Sequence, residues 1–233
     1  MDNLFIKYMS ERTNKPVKSD GNVENPGPVI TISRPYGCSG ERIASKVAHA
    51  LSEITRTQAD SIEWRLISKE ILETSAKELK LAPNLVDEMK EYRLKGVMDH
   101  LTLFFSTDFY PSDSKVMTTV AKVIHAAASQ GHVVILGRAA EAITHGMKKA
   151  LHIKLQAPIE WRAEQVSTSK NISITQAKEE CIEEDKHRNQ FRDYFVGSKT
   201  DVDFFDASFN MKTLSDDEIV NAIVQLAKSK KIV

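Results

Sequence analysis

The sequence predicts an α/β protein of three layers, with helices on both sides of a parallel sheet. Two observations predict it. Short apolar runs, 29–33, 132–136 and 150–155, read as interior strands. Between them lie segments whose apolar residues recur at helical spacing, and strands alternating with helices make a parallel, doubly covered sheet.

Residues 1–28 read as an N-terminal segment and linker. Asn3 to Ser10 forms a short apolar-faced piece, and Glu11 to Pro28 is polar and broken by Pro and Gly. Val29-Ile30-Thr31-Ile32-Ser33 is the first strand, followed by the small-residue turn Arg34-Pro35-Tyr36-Gly37-Cys38-Ser39-Gly40. Ile43, Val47, Ala50 and Leu51 then place a helix over about Glu41–Glu53. A strand, a small-residue loop and a helix make a cradle for phosphate, because free N–H groups and the positive end of the helix dipole suit an anion.

Residues 61–65 suggest a weak strand, and from Ser68 the pattern turns helical, through Leu85 to Phe105. A loop covers 106–114, and a helix over about Lys115–Ser129 stops at Gly131. His132–Leu136 is the clearest interior strand and runs into Gly137-Arg138-Ala139-Ala140. After the strand from Ala150, Pro158 starts a helix with Trp161 and Arg162, and Ile174 to Phe195 is one long charged helix. Asp203 to Phe209 reads as the last strand, and Ser215 caps a final helix reaching about Lys228.

Composition narrows the class. Thirty-two basic residues balance thirty-two acidic ones, which gives no support to nucleic-acid or membrane-surface binding. Two distant Cys among 233 residues point to a reducing compartment rather than a disulfide scaffold. No apolar run approaches the roughly 20 residues that span a bilayer. Leu4-Phe5-Ile6 is cut short by Lys7, so no signal peptide is expected and the protein reads as cytoplasmic. No His/Cys/Asp cluster has metal-ligand spacing, so no protein-held metal is expected.

Three segments carry a resemblance. They are the loop Ser33–Gly40, the passage from Val133-Val134-Ile135-Leu136-Gly137-Arg138 to Ala157-Pro158-Ile159-Glu160-Trp161-Arg162, and Asp206-Ala207-Ser208-Phe209-Asn210 running into 214–223. In order and spacing they resemble the nucleoside monophosphate kinases, and within them the cytidylate-kinase-like family.

The resemblance implies a P-loop kinase-like domain over 29–233 with a five-stranded parallel sheet. It also implies a monophosphate-binding arm at about 60–115 and a helical lid at about 170–200. The implied reaction is transfer of the ATP γ-phosphoryl group to a nucleoside monophosphate, CMP or dCMP, with Mg2+. Its partners are small nucleotides, and the resemblance fixes no oligomeric state.

By the same resemblance Ser33, Arg34, Gly37, Cys38, Ser39, Gly40, Glu41 and Arg42 cradle the ATP phosphates. Arg138 holds the acceptor phosphate, and Arg162, Asp185, Arg188 and Arg192 belong to the lid. Arg138, Arg188 and Arg192 are the catalytic candidates, since phosphoryl transfer needs positioning and positive charge. Arg188 and Arg192 are four apart and share a helix face, and Asp185 is spaced to orient Arg188. Cys38, at a helix start, is expected to have a lowered thiol pKa.

The sequence departs from the pattern in three places. A standard P-loop carries a Lys before its helix, and Gly40 falls at that position. Arg34, Arg42 and Lys46 are the cations available to replace it. Ala139 follows Gly137-Arg138 where the kinases carry Asp, and Asn210 stands where an Asp is usual. A non-catalytic, regulatory nucleotide-binding protein is therefore the second reading.

Overall fold

The computed structural model describes residues 27–56, 62–68, 121, 124–125 and 127–233. Of the expected N-terminal segment only 27 and 28, and of the expected arm only 62–68, fall within these residues, and the helices expected from 69 to about 120 lie outside them.

Five parallel strands form one sheet in the order β2-β3-β1-β4-β5. They are β1 Val29–Ser33, β2 Arg65–Ile67, β3 Val133–Leu136, β4 Ala150–Gln156 and β5 Ala207–Asn210. β1 is central, with Ile32 beside Leu136 of β3 and Ile153 of β4. The helices are α1 Gly40–Arg56, α2 Ala140–Ile143, α3 Ile159–Lys170, α4 Ile174–Val196, α5 Asp201–Phe204 and α6 Asp216–Ser229.

Alternation along the strands divides the sheet into two faces. On the front face Ile30, Ile32, Val134, Leu136, Leu151, Ile153 and Leu155 pack against Ile43, Val47 and Leu51 of α1 and Ile219 and Ile223 of α6. The connection after β1 moves one way along the sheet and those after β3 and β4 move the other. Right-handed crossovers therefore place α2 and the α3–α5 segment over the back face.

Two expected boundaries move. The weak strand lies at Arg65–Ile67 rather than 61–65. The last strand is only Ala207–Asn210, because 201–204 are helical. Thr200 and Asp203 form a capping box there, which closes a turn of helix before the chain can extend. Capping boxes also open α4, at Ser173 and Gln176, and α6, at Ser215 and Glu218.

Candidate functional site

Ligands of open α/β sheets sit beyond the carboxyl ends of strands, where neighbouring connections diverge to opposite faces. Here that crevice lies between the loop 34–39 leaving β1 and the turn 137–139 leaving β3. The Gly137 amide donates to the Ile32 carbonyl at 2.9 Å, so the two strand ends are locked side by side.

The loop is held in shape by α3 and α4. Arg162, buried in α3, donates from Nη1 to the Tyr36 carbonyl at 2.8 Å and to Asp185 Oδ2 at 2.6 Å. The Tyr36 amide in turn donates to Asp185 Oδ1 at 2.6 Å. Both polar groups of one loop peptide residue are thus tied to a single ion pair. Gly37 has φ 84, and a Cβ there would stand 2.9 Å from the Arg162 Cβ, so this close approach requires glycine.

The Tyr36 ring continues the tie. Its hydroxyl donates to Glu180 Oε1 at 2.6 Å, and Glu180 also pairs with Lys170. Burial, then the Glu180 contact, push the Tyr36 phenol up.

The expectation that Asp185 orients Arg188 is corrected: its hydrogen-bond partners are Arg162 and Tyr36. Arg188 instead donates from Nη1 to the Arg34 carbonyl at 3.2 Å and lies over the Tyr36 ring at 5.3 Å. Among the described residues it has no carboxylate at ion-pair distance.

Arg34 itself lies across the crevice. A Cβ on Gly137 would fall 2.1 Å from Arg34 Nη1, and one on Gly40 would fall 3.0 Å from Arg34 Cγ. Its side chain thus runs from the start of α1 to the end of β3, over backbone that only glycine leaves clear. Arg138, next in the chain to Gly137 and half-buried, holds its guanidinium over Phe191 of α4 at 5.6 Å.

The turn beneath is strained. Gly137, Arg138 and Ala139 have φ 74, 59 and 52 in succession. Left-handed backbone costs a non-glycine residue about 1–2 kcal/mol, and such strain gathers at ligand sites.

The remaining candidates fall as follows. Ser33 ends β1 beside Lys154, while Ser39 and Glu41 are exposed at the start of α1. Arg42 pairs with Asp216 at 2.5 Å, and Lys46 with Asp217 at 2.9 Å, so both cations are engaged at the α1–α6 edge. Arg192 donates from Nε to Glu141 Oε1 at 2.7 Å, and its Nη2 lies 3.0 Å from Asp201.

Cys38 corrects an expectation. It turns inward to the front core, and burial pushes its thiol up to about 11 rather than down. Two residues of this neighbourhood went unassigned in the sequence. Tyr36 gives no motif signal at all. Glu141, three residues after Arg138, gives none either.

Among the described residues no helix is long and apolar enough to cross a membrane, and no group of three or more His, Cys, Asp or Glu is placed to hold a metal.

A model of the cytidylate kinase-like family matches residues 29–213. No curated protein matches the chain by sequence. Among solved structures, an uncharacterized protein from Eubacterium ventriosum superposes with a TM-score of 0.61 at 19% identity, covering 87% of this chain and 98% of that one. TT1252 from Thermus thermophilus has a TM-score of 0.35 at 15% identity, with the same two coverages of 87% and 98%.

Proposed function

The chain belongs to the cytidylate kinase-like family, and we propose that it is a phosphotransferase that moves the γ-phosphoryl group of ATP to a nucleoside monophosphate. CMP or dCMP is the acceptor suggested by the family's description. The observation that carries the reading is Arg34. Its side chain crosses from the α1 start to Gly137 and brings a guanidinium to a loop that has no Lys at its end. Arg188 reaches the same loop from α4, and Arg138 follows Gly137 at the carboxyl end of β3.

In this reading Arg34 and Arg188 grip the donor phosphates and Arg138 the acceptor phosphate. Guanidinium groups bind phosphate oxygens by two parallel hydrogen bonds, a geometry Lys lacks. The first amides of α1 face the donor, and the Arg162–Asp185 pair keeps the loop in one conformation. Positioned charge supplies most of what phosphoryl transfer asks of a protein.

Magnesium fits as a companion of ATP, since it keeps phosphate and water oxygens and needs only one or two protein oxygens. The Ser33 and Ser39 hydroxyls are the donors that the loop offers. Bound there, the ion would neutralise charge on the phosphates.

A non-catalytic nucleotide-binding role is the second reading. The seat of Asp185 on the Tyr36 amide favours it, because a carboxylate already takes one loop donor. A coupled assay of ATP against the common nucleoside monophosphates separates the two. Turnover with a pyrimidine monophosphate supports the transferase; tight ATP binding without turnover supports the second reading.

A further inference from the structure

Glu141 is a fully buried carboxylate, 1% exposed, on the four-residue helix that follows the strained turn. Oε1 accepts from Arg192 Nε at 2.7 Å. Oε2 is buried with no hydrogen-bond partner, while Arg192 Nη2 lies 3.0 Å from Asp201 Oδ1. A buried carboxylate with one oxygen left unpaired makes a poor stabiliser, since desolvating its charge offsets much of the attraction to Arg192. What the contact does supply is a fixed point. Arg192 lies on α4, one turn beyond Arg188 on the same face.

We propose that Glu141 is a positioning residue for the phosphate site, anchoring α4 through Arg192 so that Arg188 is delivered to the loop after β1. The inference rests on reading that loop as the phosphate site. Three observations converge on it. The Glu141 carboxylate belongs to the segment carrying Arg138, so one contact ties the β3 turn to α4. The Arg192 guanidinium is confined on its other sides by the Phe204 and Phe205 rings at 5.6 and 5.5 Å and by Asp201. Arg188, one turn away, spends its hydrogen bond on a carbonyl and its face on Tyr36, and keeps its charge for a ligand.

A cycle on the full chain tests this, with ATP as the probe in titration calorimetry. Glu141→Gln keeps the side-chain shape and removes the charge. It is expected to weaken ATP about tenfold, equivalent to about 1.4 kcal/mol, while Glu141→Asp retains part of the affinity. The discriminating readout is the cost of Arg188→Ala, which should shrink severalfold in the Glu141→Gln background, because Arg188 is no longer delivered. Equal costs in both backgrounds, or ATP affinity within twofold of wild type in Glu141→Gln, overturn the inference. Should Glu141→Gln not fold, the cycle is run on Glu141→Asp, where equal costs of Arg188→Ala in the two backgrounds overturn the inference. Wild-type protein that binds neither ATP nor CMP defeats the phosphate-site reading instead. Amide exchange over 186–192 then decides: faster exchange in Glu141→Gln, with α1 unchanged, sustains the anchor, and unchanged exchange overturns it.

Discussion

On the front of the sheet Ile30, Ile32, Leu151, Ile153 and Leu155 meet the apolar stripes of α1 and α6. On the back the alternate residues of the same two strands include Thr31, Ser33, His152 and Lys154. Thr31 and His152 share a 2.8 Å hydrogen bond, and Lys154 pairs with Asp201, which also meets Arg192. The front removes apolar surface from water, which stabilises by about 1.5–3 kcal/mol per large side chain and accepts any well-shaped filler. The back spends charges and hydrogen bonds that give less net stability but fix direction. The large apolar side chains of β1 and β4 thus gather on one face, and their polar contacts, which tie β4 to α5 and α4, on the other.

The largest effect should come from opening the front. Ile153→Ala deletes a fully buried side chain and should cost about 2–5 kcal/mol. Thermal melting would show this, with ATP affinity of the folded fraction unchanged. A loss of affinity without a fall in melting temperature would erase the division between the faces.

The back predicts a pH signature. Burial lowers the His152 pKa to about 4, so the imidazole is neutral in the fold. The unfolded chain, with a His pKa near 6.5, binds the proton more readily. Stability is therefore full above about pH 6.5 and falls as pH drops toward 4, by up to about 3 kcal/mol. Denaturant titrations across that window should show the slope in wild type and a flatter one in His152→Gln. The same slope in both would place the titrating group elsewhere.

A smaller effect is expected from the loop brace. Arg162→Ala leaves Asp185 and the Tyr36 carbonyl without their cation, a loss of about 1.5–3 kcal/mol. Because the brace shapes the loop, ATP affinity should fall as well, unlike in Ile153→Ala. Calorimetry on the folded variant separates these outcomes, and intact affinity would reduce Arg162 to packing.

Much of the front was legible in the sequence. β1, β3 and β4 announce themselves as apolar runs, and α1 and α6 as periodic stripes with clear starts. The short strands were less legible: β2 carries Arg65, and β5 has only four residues, none fully buried. The helical turn 201–204 was missed although its Thr200–Asp203 capping box is local.

At the site, Arg138 was visible because it follows the most apolar strand. The pairings were not. Spacing put Asp185 with Arg188, but tertiary contacts gave it Arg162, 23 residues away. Glu141 likewise finds Arg192, 51 residues away. Helical spacing says which side chains share a face, and says nothing of what that face meets. Cys38 fails for the same reason, since the turn that puts it at a helix start also rolls it into the core.

If arginines at the carboxyl ends of β1 and β3 hold the phosphates in place of a Lys, Arg138→Gly is the decisive variant. Arg138 sits at φ 59, where glycine is at ease, so the change removes the guanidinium and relieves backbone strain together. The expected result is a melting temperature equal to or above wild type, with CMP affinity lowered about ten- to a hundredfold, the loss of a charge-assisted contact of about 1.5–3 kcal/mol. A variant that binds CMP as wild type does, while melting earlier, would show that Arg138 serves the fold and that the acceptor phosphate lies elsewhere.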